Sequence, residues 1–129
     1  IDNFKNYNDT YGHLKGNEIL KDLAGMIKGR EVDITARYGG EEFTIIMPET
    51  NRSRGLMLAE RLRKIIANYP FKHRETQPGG RLTVSIGLAT FPENAATAFS
   101  LIEASDKALY EAKRSGRNMV CVSSNKPAG

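Results

Sequence analysis

No run of apolar residues in this 129-residue chain approaches the ~18 that a membrane-spanning helix needs, and no charged start followed by an apolar stretch marks a secretory signal. A cytoplasmic setting is the expectation. Cysteine is nearly absent: Cys121, within Met119-Val120-Cys121-Val122, has no intramolecular partner. That excludes a disulfide scaffold and a cysteine-based zinc site, and it suits a place in a buried strand. No internal repeat or low-complexity tract is found, and there is no room for a second domain of ordinary size. What is present is the balance of a folded globule, 40% apolar and 26% charged. A chain of this length buries roughly 65–70% of its unfolded surface. Nineteen Lys and Arg against fifteen Asp and Glu leave +4. That favours phosphorylated ligands but is too little for a long nucleic-acid track, so nucleic acid is not expected as a partner. The chain opens Ile1-Asp2-Asn3-Phe4 without an initiator Met, so it is expected to begin inside a larger protein.

Periodicity places the elements. Ile19, Leu20, Leu23 and Ile27 recur at helical spacing before Gly29, predicting a helix near 16–28. From Ile34 to Met47, β-branched and aromatic residues flank Gly39-Gly40, predicting a strand, a tight glycine turn and a second strand. Leu58, Ala59, Leu62, Ile65 and Ile66 line one face of a helix that ends before Pro70. Lys72 to Gly80 lacks periodicity and reads as a mobile surface loop. Leu82 to Leu88 alternates as a half-covered strand does. Ala98, Leu101, Ile102, Ser105, Leu109 and Ala112 form a helical stripe that Gly116 terminates. A closing strand at 118–122 precedes a tail at 124–129 that reads as frayed. The order helix, strand, strand, helix, strand, helix, strand describes a sheet with helices packed on it.

Arg37-Tyr38-Gly39-Gly40-Glu41-Glu42-Phe43 sets two acids directly after a glycine turn. Glycines leave space for a bulky anion, and a neighbouring carboxylate can hold the hard cation that neutralises phosphate oxygens. Taken alone, the motif is equally a hairpin with two solvated glutamates. Two further motifs stand in the chain: Phe4-Lys5-x-x-Asn8-Asp9-x-x-Gly12-His13-x-x-Gly16 and Ala112-Lys113-x-x-Gly116-Arg117-Asn118. With these three in this order, the sequence resembles the GGDEF family of diguanylate cyclases, in its Gly-Gly-Glu-Glu-Phe form. The resemblance implies condensation of two GTP into cyclic di-GMP by two domains meeting face to face. It also implies an α/β (α+β) fold in residues 1–123, with a central, mainly antiparallel sheet flanked by helices, like the palm of nucleotide cyclases and polymerases.

Residue by residue, the resemblance makes Glu41 a metal-ligating carboxylate and Glu42 its assisting neighbour, beside Gly39 and Gly40. Two Mg²⁺ (or Mn²⁺) ions per site are implied, contacted also by the Ile1 carbonyl. Successive strand side chains point to opposite faces, so both acids serve one site if the turn breaks that alternation. Asn3, Phe4 and Lys5 match the turn whose amides cradle terminal phosphates. Lys113 and Arg117 match the basic pair that grips them, although such residues at a helix end also commonly bind its terminal carbonyls. Asn8 and Asn17 match the two guanine-reading positions, though either could instead cap a helix. Position 17 is commonly Asp in the family; an Asn amide offers guanine one acceptor oxygen where a carboxylate offers two, which weakens guanine selectivity. His13 is expected to pack and hydrogen-bond rather than ligate metal. The family's first metal-binding Asp would precede Ile1, while Asp2 matches a second Asp and is expected to be structural.

Arg30-Glu31-Val32-Asp33 is, taken alone, a surface ion pair worth ~0–1 kcal/mol. Through the resemblance it matches the family's product-inhibition site, with Arg61 as a secondary arginine. Guanine presents O6 and N7 to an Arg fork and donors to an Asp, the logic used in base reading. The implied partners are GTP, cyclic di-GMP, a second copy of the domain and an upstream sensor or receiver. The cytoplasmic setting holds equally for the cytoplasmic part of a membrane-anchored sensor. Two other readings remain open: a catalytically idle cyclic di-GMP receptor, and a cyclase with relaxed base choice. The family's opening strand lies centrally in the sheet, so the residues from Ile1 onward are expected not to be stable alone.

Overall fold

The computed structural model describes residues 1–127. It contains α1 (Phe4–Tyr11), α2 (His13–Met26), β1 (Ile34–Gly39), β2 (Glu42–Ile46), α3 (Arg52–Asn68), β3 (Ile86–Leu88), α4 (Ala98–Arg114) and β4 (Val120–Val122). The mixed class holds, with less sheet than the sequence implies. β1 and β2 form an antiparallel hairpin, and β3 pairs with β4 in parallel. The strand expected over 82–88 is reduced to Ile86–Leu88. Residues 82–85 keep the alternating burial of a strand but have no ladder partner among the described residues, apart from a bond from the Asp2 amide to the Thr83 carbonyl (2.9 Å).

α1 is a helix the periodicity reading passed over. Its apolar residues Phe4, Tyr7 and Tyr11 sit at helical spacing, but polar residues surround them and disguise the stripe. Phe4 and Tyr7 are buried with Ile19, Leu20, Leu23 and Ile27 of the α2 segment, Ile66 of α3, Phe71, Leu82 and Val84. This cluster is the core, and Phe43 and Ile45 of β2 and Ile86 of β3 pack against it. α2 starts at His13 rather than near 16, so Gly16 lies inside it and is buried. There the Asn8 amide oxygen lies against the α2 backbone, in space a Cβ at Gly16 would fill, which lets α1 and α2 cross closely.

α3 opens on Asn51, whose side chain accepts from the Arg54 amide, and ends before Pro70 as expected. Its inward residues are Gly55, Ala59, Ile66 and Ala67; Ile65, expected on that face, is exposed. α4 opens with a capping box between Thr97 and Ser100. Its buried stripe is Ala104, Ala108 and Ala112, rotated from the expected one, and Ile102 is exposed. Small residues decide this face because α4 lies directly on β3: a Cβ at Gly87 would collide with the Ser105 carbonyl oxygen and the Leu109 amide nitrogen. The 72–80 segment lies at the surface apart from the buried Gln77; it contains one single-turn 3-10 helix, Arg74–Thr76, and a turn in which Gly79 and Gly80 both take φ 70°. The tail expected from 124 is anchored, since Asn94 and Asn125 exchange side-chain-to-carbonyl bonds at 2.9 Å. Residues 128–129 of that tail lie outside the described residues.

Candidate active site

The hairpin turn sits one residue later than Gly39-Gly40 suggests. Gly39 pairs with Glu42 inside the ladder, Tyr38 is left out as a bulge, and Gly40 and Glu41 form the connection. Of the two glycines, Gly40 alone takes positive φ, at 51°. Glu41 is therefore a turn residue, free of the alternation that governs Glu42. The Arg37 Nε donates to the Gly40 carbonyl (2.8 Å) and braces the bend. The Ile1 nitrogen donates to the Glu41 carbonyl (3.2 Å), joining the first residue to the turn.

Around this junction lies an open pocket of about 450 Å³, lined by Ile1 to Asn6, Asp9, Glu41, Lys113 and Arg117. Three distant stretches of chain meet in it. From the first comes the N-terminus of α1, where Asn3 holds φ 56° and no side chain caps the first turn, which also contains no acid. Uncapped amides at a helix start attract anions. From the last comes the end of α4. Ser115 closes the helix, Gly116 takes φ 120°, and the Arg117 amide returns to the Ala112 carbonyl (3.0 Å), the bond of a Schellman motif. Arg117 thus leaves the helix axis yet lines the same pocket as Lys113. Lys113 also approaches Glu42, Nζ to Oε1 3.7 Å, tying α4 to the hairpin.

Charge in the pocket is mixed by design of position. Lys5, Lys113 and Arg117 face Asp9 and Glu41, while the Asp2 carboxylate is fully occupied. Asp2 is 4% exposed and accepts from Ser85 Oγ (2.6 Å), Thr83 Oγ1 (2.7 Å) and the Asn118 amide (3.0 Å). Its expected structural role is visible in those bonds. Asn6 and Asp9 escaped the sequence reading of the site. Had α1 been recognised, Lys5 and Asp9 at i,i+4 would have shared a face. Among the described residues no three His, Cys, Asp or Glu cluster as a ready-made metal cage.

The two guanine-reading candidates lie outside this pocket. Asn8 is within α1 and Asn17 within α2, so neither caps a helix. The Asn8 Oδ1 is buried and has no hydrogen-bond partner among the described residues. Asn17 is exposed and lines a broader groove of about 750 Å³ between α2 and the β1–β2 hairpin, with Leu14, Lys21, Arg37 and Phe43 among its walls. That groove is larger than the first and carries Lys21 and Arg37, but neither Glu41 nor the Lys113–Arg117 pair lines it. His13, expected to pack, is exposed at the start of α2.

Arg30 and Asp33 meet each other. Arg30 Nη2 lies 2.8 Å from Asp33 Oδ1, Nε 3.1 Å from the same oxygen, and the Arg30 amide 3.0 Å from Oδ2. Nη2 also donates to Thr50 Oγ1 (2.6 Å). The hydrogen-bonded guanidinium holds the Asp33 carboxyl below the usual carboxylate range. The Asp33 side chain is 4% exposed, so its acceptors are turned to Arg30 rather than to a ligand. Arg61 is exposed on α3 and makes no ion pair among the described residues.

Residues 1–119 match the family model described as "Diguanylate cyclase, GGDEF domain". The chain is 42% identical over 127 residues to Diguanylate cyclase A of Treponema denticola, covering 97% of this chain and 34% of that protein. It therefore spans about a third of that curated relative. Among solved structures, the active GGEEF domain of a diguanylate cyclase from Vibrio cholerae superposes with TM-score 0.82 at 34% identity, covering 98% of this chain and 80% of that one. The GGDEF domain of DgcB from Caulobacter crescentus, in complex with c-di-GMP, gives TM-score 0.83 at 37% identity, covering 95% and 72%. With a family model matched over residues 1–119 and relatives of this kind covering nearly the whole chain, the chain belongs to the GGDEF-domain family of diguanylate cyclases.

Proposed function

We propose that this domain condenses two GTP into cyclic di-GMP, with release of two pyrophosphates. The 3′-hydroxyl oxygen of each nucleotide attacks the α-phosphorus of the other; two new P–O bonds form and the two α–β phosphoanhydride bonds break. The observation that carries this reading is the convergence in one pocket of Glu41, the uncapped start of α1, Lys113 and Arg117. Such a pocket suits a triphosphate: amides of Asn3, Phe4 and Lys5 take terminal oxygens, and the two cations from the end of α4 hold the remainder. Gly39 and Gly40 keep side chains away from the nucleotide's path. Asn8 and Asn17 are the base-reading residues of this proposal.

Divalent cations belong to the same reading. The donors present fit a hard metal in kind, since the Glu41 carboxylate and the Ile1 carbonyl are oxygen ligands on the pocket wall, with Glu42 beside them. Mg²⁺ is ordinarily held by one or two carboxylates with substrate phosphates completing its shell, so a three-acid cage is not required. Bound Mg²⁺ or Mn²⁺ supplies neutralisation of phosphate oxygens and a lowered pKa at the attacking hydroxyl. Asp2 has a structural part in this reading, its carboxylate accepting from Thr83, Ser85 and the Asn118 amide.

One pocket holds one nucleotide, so the reaction needs two domains apposed, and proximity alone can then set the rate. An upstream sensor or receiver that brings two copies together is the matching regulator. Product inhibition through Arg30, Asp33 and Arg61 is part of the proposal, and it requires the Arg30–Asp33 pair to open before Asp33 can accept from guanine.

The test is turnover of GTP with Mg²⁺ by the protein, with cyclic di-GMP identified by mass. Glu41→Gln is expected to lower turnover at least about a hundredfold while leaving the fold intact, as loss of a transition-state charge contact does. Lys113→Ala is expected to raise the GTP dissociation constant about tenfold. Absence of any cyclic dinucleotide, even with two domains forced together, overturns the proposal.

A further inference from the structure

Arg117 makes no ion pair among the described residues, whereas Lys113 is held by Glu42. The backbone therefore sets where its side chain departs, and with that the space its guanidinium can reach. That backbone is unusual: Gly116, Arg117 and Asn118 take φ of 120°, 65° and 47° in succession. Non-glycine residues avoid this region, and two consecutive ones persist where surrounding contacts fix them. The contacts are present on Asn118. Its amide donates to the buried Asp2 carboxylate (3.0 Å). Its side-chain oxygen accepts from Arg63 Nη1 (2.9 Å), which also reaches the Asn118 carbonyl (3.5 Å). Arg63 is itself aimed by Glu60, one turn earlier on α3, through Nη2 at 3.0 Å, and its side chain is 17% exposed.

We infer that Arg63 and Asn118 form a positioning pair that holds the Gly116–Asn118 turn in its left-handed path and so points Arg117 into the triphosphate pocket. Arg63 touches no part of that pocket. It acts at one remove, through a residue 55 positions away in sequence. Asp2 fixes the amide side of Asn118 and Arg63 its side-chain side, while the Arg117 amide is held by the Ala112 carbonyl, so removing the Arg63 contact loosens the turn without undoing it.

The inference rests on the reading that Arg117 grips nucleotide phosphates, and the experiment separates the two. Dissociation constants for a non-hydrolysable GTP analogue with Mg²⁺ are measured by calorimetry on the protein. The variants are Arg63→Met, Asn118→Gly, Arg117→Ala and the double variant Arg63→Met/Arg117→Ala. Met preserves the buried stem of Arg63, and Gly tolerates positive φ while removing the accepting oxygen. Arg117→Ala is expected to weaken binding about tenfold or more. Arg63→Met and Asn118→Gly are each expected to weaken it about three- to tenfold, and Arg63→Met is expected to add less than about twofold once Arg117 is Ala. If Arg117→Ala binds like wild type, the reading of Arg117 fails. If Arg117→Ala weakens binding but Arg63→Met does not, or if Arg63→Met costs the same factor in both backgrounds, the positioning role is overturned. Melting curves of all four variants confirm that binding is read on folded protein.

Discussion

Replacing Asp2 by Ala tests how much of this fold is held by one buried carboxylate. Three donors converge on it, two hydroxyls at 2.6 and 2.7 Å and one backbone amide at 3.0 Å. A hydrogen bond to a charged acceptor contributes roughly 1.5–3 kcal/mol, and an orphaned buried donor costs about 1–3 kcal/mol. The hydroxyls of Thr83 and Ser85 are half-buried and rotate to new partners, which recovers part of the loss, and the carboxylate's own desolvation cost is relieved. The Asn118 amide has no such freedom. The net expectation is a loss of about 3 kcal/mol, a large share of the roughly 5–15 kcal/mol that stabilises a domain. In a domain of this size that lowers Tm by roughly 10 °C. Asp2→Asn keeps one acceptor oxygen and the same shape, so its loss is about 1 kcal/mol. Urea denaturation followed by circular dichroism measures both. A ranking in which Ala and Asn are equal and within about 0.5 kcal/mol of wild type would refute the claim that this side chain ties the first residues to the Asn118 turn.

Gly87→Ala sets a methyl group against the α4 backbone rather than against a yielding side chain; a loss of about 3 kcal/mol and a weakened GTP affinity are expected, read by denaturation and calorimetry, because α4 carries Lys113. Asp33 gives a pH dependence. Its carboxyl is held below the ordinary value of 3.8 by hydrogen bonds from Arg30, so its ionised form supports the fold above that value and the support fades as pH falls through the depressed one. The stability gap between wild type and Asp33→Asn is therefore flat from neutrality to about pH 5 and closes in more acid solution, where an unchanged gap at pH 2 contradicts the pairing. Asn17→Asp is expected to raise the preference for GTP over ATP about tenfold or more in competition turnover, since a carboxylate accepts from both guanine donors; no change removes Asn17 from base reading.

Where a residue's role follows from its neighbours in sequence, the chain was readable. The β1–β2 hairpin, the end of α3 before Pro70 and the stop of α4 at Gly116 all follow from local propensities. α1 is hard to see in the sequence because polar residues and Thr10 separate Phe4, Tyr7 and Tyr11, although their spacing is helical. The turn was placed one residue early because two adjacent glycines are equivalent on paper, and the Tyr38 bulge that chooses between them depends on cross-strand register. The α4 stripe is rotated from the expected one because alanines carry little hydrophobic signal, yet Ala104, Ala108 and Ala112 are the residues buried here. At the candidate site, Lys113, Arg117 and Glu41 were legible through the family motifs. Arg63 was not, because nothing near it in sequence announces a contact with Asn118.

The bond from the Asn118 amide to Asp2 spans 116 positions of the chain. Such a contact closes a long loop of chain, at a larger entropy cost than the local contacts within α1 and α2. The pocket draws its lining from both ends of that loop, Ile1 to Asn6 on one side and Lys113 and Arg117 on the other, so it requires the C-terminal turn to be docked. A triphosphate held there as proposed would touch both ends at once and oppose their separation.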